Sequence, residues 1–166
     1  MSIYLGVDVG ANTGLAAIDE DGVCLYRETV LLMGGYGERL WRLEAVVQDF
    51  IGDADNYPTL LVVEEPPRVK STTVYNQLSG YEAIVIKVCE DLGVPYMSVN
   101  NATIKKVIVR GGAVGKSSKE DMMFKAASLI GETVPEFKTK KERDFAQNGY
   151  DAVLCAFYAR FLKEGK

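Results

Sequence analysis

The chain has 166 residues, 48 % of them hydrophobic and 25 % charged, with a formal net charge of −4. That length and balance fit one soluble globular domain with a substantial core. The sequence contains no histidine, which excludes Ser-His-Asp and Cys-His mechanisms and leaves acid–base chemistry to carboxylates, lysines, tyrosines or metal-activated water.

No apolar run approaches the ~20 residues a membrane helix needs, and the first six residues lack the basic region and cleavage site of a signal peptide. The expectation is a cytoplasmic protein with no membrane partner. Cys24, Cys89 and Cys155 are odd in number, far apart and in apolar surroundings, which reads as reduced, buried thiols. A cysteine-zinc site would need four ligands, and no histidine is there to complete one. The acidic net charge argues against nucleic acid until its distribution is seen. Lys105, Lys106, Arg110, Lys116, Lys119 and Lys125 crowd one stretch, and Lys138, Lys140, Lys141 and Arg143 another, so a basic stripe is available on an acidic protein.

No repeat, low-complexity tract or linker divides residues 1–166. Residues 3–9 form a short apolar run with Gly6 inside it and read as a central strand. Residues 10–14 read as a turn, and 15–18 and 23–30 as two further strands. Asp19-Glu20-Asp21-Gly22 between them supplies the hairpin turn. Leu40, Leu43, Val47 and Phe50 recur at helical spacing, which predicts a helix over 36–51. A buried strand over 59–63 ends in Glu64. A helix over 78–92 follows, with Gly93 as its C-cap. Residues 95–99 form a short strand and 102–109 a short helix with Asn101 as N-cap. Ser117 or Ser118 caps a helix to residue 130, 131–143 form a polar loop, and the last helix covers about 144–162. Three strands on short turns make an antiparallel meander, and later strands separated by helices add in parallel. The expected fold is α/β, a mixed five-stranded sheet flanked by helices.

Three carboxylates stand oddly in this pattern. Asp8 lies in a central apolar strand, Glu64 ends the run Leu60-Leu61-Val62-Val63, and Asp151 opens the apolar part of the last helix. Each alone has an ordinary reading: a turn cap, a strand-end surface residue, or an acid in a first helical turn. Together they are charges at the edges of apolar elements, which is costly unless they are paired or bind metal. Carboxylates are the hard ligands that Mg2+ prefers, with Mn2+ as a substitute. Two such ions a few ångströms apart can activate water and stabilise the leaving oxygen of a phosphodiester. Asp144, Asn148 and Asp151 are spaced i, i+4, i+7 and share a helix face if the helix starts that early. Small Ala152 and Ala156 let that helix approach a sheet closely.

The segments Gly6-Val7-Asp8-Val9-Gly10-Ala11-Asn12-Thr13-Gly14-Leu15-Ala16, Val62-Val63-Glu64-Glu65-Pro66-Pro67, Thr103-Ile104-Lys105-Lys106, Gly115-Lys116-Ser117-Ser118-Lys119-Glu120-Asp121-Met122 and Asn148-Gly149-Tyr150-Asp151-Ala152-Val153 occur in that order. Together, over essentially the whole chain, they resemble RuvC-type Holliday junction resolvases of the RNase H-like superfamily, in particular bacteriophage members, which would place the protein in a host cytoplasm. The resemblance implies a homodimeric, magnesium-dependent endonuclease that binds four-way DNA junctions and nicks two opposed strands. It implies Asp8, Glu64 and Asp151 as metal ligands. The family's fourth acid falls at Asn148, so either Asn148 serves as a weaker ligand or Asp144 substitutes one turn earlier. Near the scissile phosphate the resemblance implies Lys105 or Lys106, and Lys119 with Lys116 as the alternative. Arg110 belongs to the same basic stretch. The loop carrying Arg68 and Lys70 would enter the junction. The aromatic expected there is missing, and Tyr75 either stacks on a base or packs on the following helix.

Two rival functions use the same residues. Gly111-Gly112-Ala113-Val114-Gly115-Lys116-Ser117 looks like a phosphate loop, but Arg110 stands where the first glycine is required, so no nucleotide cofactor is expected there. Asp8 to Thr13 also resembles the first phosphate loop of actin-like ATPases, of which this chain has room for one half. The other rival is a non-catalytic nucleic-acid-binding module on the same fold, for which three clustered acids near phosphates would be a handicap.

Overall fold

The computed structural model describes residues 1–52, 58–112 and 115–165. The described elements follow in the order β1 (Ile3–Asp8), β2 (Asn12–Asp19), β3 (Cys24–Leu31), α1 (Tyr36–Gly52), β4 (Leu60–Glu65), α2 (Thr72–Leu92), β5 (Tyr96–Asn100), α3 (Asn101–Ile104) running into a π turn (Lys105–Val109), α4 (Lys119–Leu129) and α5 (Lys140–Glu164). The strands form one sheet in the order β3-β2-β1-β4-β5. The first three are antiparallel, while β4 and β5 add in parallel. This is the mixed five-stranded sheet that the sequence predicts.

The hairpin at Gly22 forms as expected. Gly22 takes φ +83°, and the Asp19 carboxylate accepts from the Asp21 and Val23 amides at 2.9 and 2.8 Å. Gly93 closes α2 in the left-handed conformation, φ 70°.

Several boundaries differ from the sequence reading, and capping explains most of them. The turn after β1 is shorter than residues 10–14, because Asn12, Thr13 and Gly14 already pair with Leu31, Val30 and Thr29. Helix α2 begins six residues before position 78. The Ser71 hydroxyl accepts from the Val74 amide, and this cap carries the poor helix formers Thr72, Thr73 and Val74 into the first turn. Asn100, not Asn101, caps α3, its Oδ1 accepting from the Thr103 amide at 2.9 Å. Ser118 rather than Ser117 caps α4 in a reciprocal box with Asp121. Residues 140–143 are helical rather than loop, because Thr139 accepts from the Glu142 amide at 3.1 Å. Cys89 and Cys155 are buried free thiols, whereas Cys24, on the outermost strand β3, is only partly buried.

Strand alternation divides the interior into two cores. Ile3, Leu5 and Val7 of β1 and Leu61 and Val63 of β4 pack with residues of α1 and α2 such as Leu43, Val47, Val85 and Val88. Tyr4 of β1 and Leu60 and Val62 of β4 pack on the opposite face with Ile104, Met122, Met123 and the buried stripe of α5. Period two therefore sends Asp8 and Glu64, each two residues beyond an α5-facing position, to that same face.

Helix α5 lies against β1 and β2 at backbone distance, and two glycines permit it. A Cβ built on Gly6 would overlap the Ala152 carbonyl oxygen, and one on Gly14 would overlap the Asn148 carbonyl oxygen. Glycine inside a strand marks such close approach. Gly14→Ala should therefore lift α5 and destabilise the protein by about 1–3 kcal/mol in chemical denaturation, the usual cost of overpacking. Gly37→Ala, where a Cβ would meet nothing within 4 Å, should be neutral or mildly stabilising. Equal stability of Gly14→Ala and the parent would contradict the contact.

Candidate active site

β1 and β4 run parallel with Tyr4 opposite Leu60 and Val7 opposite Val63. Continuing that register by one residue sets Asp8 beside Glu64 at the carboxyl ends of adjacent strands, a position where open α/β sheets bind ligands. Helix α5, held down at Gly6 and Gly14, brings Asp151 to the same place. All three acids are partly buried.

Burial and neighbouring charges act on each of the three. Burial pushes the Asp8 carboxyl well above the usual range, and the charges of Glu64 and Asp151 push it further, against a lowering by Lys119. Burial also raises Glu64, opposed by a hydrogen bond from Asn101 and by the charge of Lys105. Asp151 is raised from 3.8 to about 7. Burial is the largest cause, a hydrogen bond from Gln147 opposes it, Glu64 adds to it, and Lys105 and Lys119 oppose it. Desolvation and mutual repulsion act together here, as they do when carboxylates share one site.

The lysine alternatives differ in their electrostatic effect on the acids. Lys105 acts on Glu64 and Asp151, and Lys119, though exposed, acts on Asp8 and Asp151, whereas neither Lys106 nor Lys116 is among the charges that shift the three acids. Lys105 opens the π turn, in which the Arg110 amide bonds back to the Lys105 carbonyl at 3.1 Å. Such turns often occur at functional sites. Lys119 is the first residue of α4, just after the Ser118 cap.

The two candidates for the fourth position have different surroundings. Asn148 Nδ2 donates to the Asp144 and Phe145 carbonyl oxygens at 3.0 and 3.2 Å, which leaves its Oδ1 as an acceptor not used by those bonds. The Asp144 carboxylate faces Arg143, with Nε at 4.0 Å, and it is not among the charges that shift Asp8, Glu64 or Asp151.

Of the other predicted DNA contacts, Arg68 and Lys70 are exposed on the loop between β4 and α2, and Tyr75 is exposed in the first turn of α2. Arg110 is turned inward on its own loop, with Nη1 donating to the Gly115 carbonyl. Residues 113 and 114 of the glycine loop lie outside the described residues.

Two site residues were missed in the sequence. Gln147, only 5 % exposed, donates from Nε2 to Asp151 Oδ1 at 2.8 Å. Asn101 is freed for Glu64 because Asn100 takes the cap. The spacing of Gln147, four residues before Asp151 and so on the same helix face, was the available signal for the first, and two adjacent asparagines concealed the second.

The donor set suits a divalent cation. Three desolvated carboxylates share no ion pair among the described residues, whose salt bridges all lie elsewhere. Such a cluster is short of positive charge, and oxygen donors are what magnesium binds. No three His, Cys, Asp or Glu side chains already stand as a single metal cage among the described residues.

No protein-family model matches the sequence, and no curated protein sequence matches it. Solved structures do. Thermus thermophilus RuvC in complex with a Holliday junction substrate superposes with a TM-score of 0.77 at 18 % identity, over 99 % of this chain and 97 % of that one. T. thermophilus RuvC in a second structure gives 0.77 at 20 % identity, over 98 % and 96 %. The yeast mitochondrial Holliday junction resolvase gives 0.62 at 13 % identity, over 96 % of this chain and 78 % of that one. The chain thus has the RNase H-like fold of the RuvC structures along its full described length.

The acid cluster has a signed consequence for stability. Raised folded-state pKa values mean that the folded protein binds more protons than the unfolded chain between the ordinary 3.8 and about 7. The cluster's contribution therefore falls as pH rises through that window. Without metal, Asp8→Asn should melt several degrees above the parent at pH 8 and close to it at pH 4. A gap that shrinks with rising pH would contradict the coupling.

Proposed function

We propose that this chain is a divalent-metal-dependent endodeoxyribonuclease that hydrolyses phosphodiesters in branched DNA, four-way Holliday junctions above all. One observation carries the reading: the register of β1 and β4 sets Asp8 beside Glu64 at the carboxyl ends of adjacent strands, and α5, seated on Gly6 and Gly14, brings Asp151 to them, with the charges of Lys105 and Lys119 acting on the same group. The similar T. thermophilus RuvC was solved with a Holliday junction substrate, which supports this substrate class. Residues 1–166 would form one nuclease domain. A homodimer with its two sites on opposed strands is the assembly that symmetric nicking calls for. No described helix is long and apolar enough to cross a membrane, which suits work on DNA in a cytoplasm, that of a host if the protein is viral.

Asp8, Glu64 and Asp151, with Asn148 Oδ1 as a neutral donor, would hold Mg2+ or Mn2+, two ions in the fullest case. The metal would supply water activation and stabilisation of charge on the leaving oxygen. The remaining work belongs to the chain. Lys105 and Lys119 offer ammonium groups as point charges for the phosphate around the scissile bond. Gln147 holds Asp151 by one oxygen, and Asn101 holds Glu64, so the carboxylates keep their orientation as charge at the site changes. The hydrophobic bed beneath, with Cys155 and Ala152 fully buried, keeps water from below and strengthens every charge interaction above it.

The test is cleavage of synthetic four-way, three-way, flap and linear duplex DNA with magnesium, run side by side. Four-way junctions should be cut and linear duplex spared. Asp8→Asn should abolish cleavage while junction binding survives, and Gln147→Ala should slow cleavage about 10–100-fold, the usual cost of losing a group that orients a ligand. Full cleavage by Asp8→Asn would sink the mechanism, and saturable ATP binding without cleavage would favour the actin-like alternative.

A further inference from the structure

β3 is the outermost strand on its side of the sheet, and no described strand pairs with its outer edge. Such edges offer main-chain donors and acceptors to another chain, and proteins usually blunt them with lysine, proline or a covering element. Residues 24–31 include neither lysine nor proline. The arginine of the strand, Arg27, is already bound to Glu132 at 2.7 Å. Leu25 is 48 % and Leu31 53 % exposed, so the edge carries apolar surface into solvent.

A cavity flanks the strand on each face. The one on the α1 side, of about 490 Å3, has an apolar floor that includes Ile3, Leu5, Leu15 and Phe50, with Glu28 and Asp49 as its charged side chains. The one on the α5 side, of about 570 Å3, is lined by Asp21, Arg27, Ile130 and Glu132 among others. Leu25 and Tyr26 line both. The strand register explains the division. Glu28 stands opposite Leu15, which belongs to the core under α1 and α2, and Arg27 stands opposite Ala16, which belongs to the core under α5. A strand added to this edge would send alternate side chains towards the two cavities, with main-chain bonds for affinity and the cavities for specificity.

Charge selects what can fill them. Asp21, Glu28 and Asp49 enter no ion pair among the described residues, and Arg27 is taken by Glu132. An incoming segment therefore gains by bringing lysine or arginine and loses by bringing acid. A second copy of β3 does not meet that requirement. Residues directly opposite in an antiparallel pair share a face, so a two-fold pair centred on the strand sets Arg27 against Arg27 or Glu28 against Glu28, and like charges there repel.

We propose that β3 is a docking edge for another protein, which adds an extended apolar segment carrying lysine or arginine as a sixth strand of the sheet. The aliphatic stems of its basic side chains lie on the apolar floor while their charged ends meet Glu28 and Asp49. No residue lining either cavity belongs to the acid cluster or its lysines, so the inference stands apart from the nuclease reading.

The probe is a dye-labelled peptide of repeating Val-Val-Lys-Lys, as long as β3 (8 residues), with a Val-Val-Glu-Glu counterpart. Each is titrated with the full chain by fluorescence anisotropy, and amide hydrogen exchange reports where it binds. The basic peptide should bind saturably and slow exchange in β3, and the acidic one should do neither. Glu28→Lys with Asp49→Lys should weaken the basic peptide about 10-fold or more, the effect of losing a close charge pair across an interface. The same variant should let the acidic peptide bind and protect β3 in its place. Glu28→Gln with Asp49→Asn, which keeps the side-chain shapes, should weaken the basic peptide by a smaller factor. Binding without protection of β3, equal binding of both peptides, or affinity unchanged in both variants would overturn the proposal. Protection of β3 that grows with protein concentration in the absence of peptide would overturn it too and assign the edge to a second copy.

Discussion

Helix α5 lies on the sheet with backbone against backbone, and the candidate site depends on that contact. Any side chain at Gly6 would strike the Ala152 carbonyl, and any at Gly14 the Asn148 carbonyl. The two contacts fix the helix along its axis and across the sheet. Residues 148 and 152 are therefore anchored, and Asp151 between them is delivered to the ends of β1 and β4. The uninterrupted burial of α5 from Ala152 to Ala159 makes the helix a core element as well as the carrier of a ligand. Changes in packing would thus reach the chemistry directly.

The arrangement keeps the acids in tension. Apolar burial surrounds them, Glu64 and Asp151 raise the proton affinity of Asp8, Glu64 raises that of Asp151, and two lysines together with two amides oppose these shifts. A neutralised carboxyl would cost less, and a hydrophobic residue less again. The protein instead keeps three ionisable oxygen donors where stability alone would not place them. A bound cation would reverse every one of these unfavourable terms. The same logic distinguishes Asn148 from Asp144. A neutral amide would add a donor without adding repulsion, whereas the Asp144 carboxylate faces Arg143.

Much of this was legible in the chain itself. Period two in residues 3–8 and 60–64 puts Asp8 and Glu64 on one face, and a charge closing an apolar run is visible without a structure. The alanines after Asp151 announced a helix pressed on a sheet. What escaped were features decided by partners far away in sequence. Asn12 to Gly14 look like a turn because glycine and asparagine interrupt the apolar run, yet β3 pairs with them. Thr72 to Val74 look unhelical until Ser71 caps them. Lys105 and Lys106 are equivalent in sequence, and only the path of α3 into its π turn brings Lys105 to the acids. Gln147 carries no charge to draw notice, and its role exists only because the helix face it shares with Asp151 is buried.

If Asp8, Glu64 and Asp151 hold a divalent cation, they would exchange protons for it. Isothermal titration of the metal-free protein with magnesium or manganese at pH 7, repeated in two buffers of different ionisation enthalpy, measures this directly. With Asp151 raised to about 7, saturable binding should release about half a proton or more per site, because ligands must be deprotonated to bind metal. Asp8→Asn should bind more weakly. Saturable binding with no net proton release, or no binding at millimolar metal, would contradict the account.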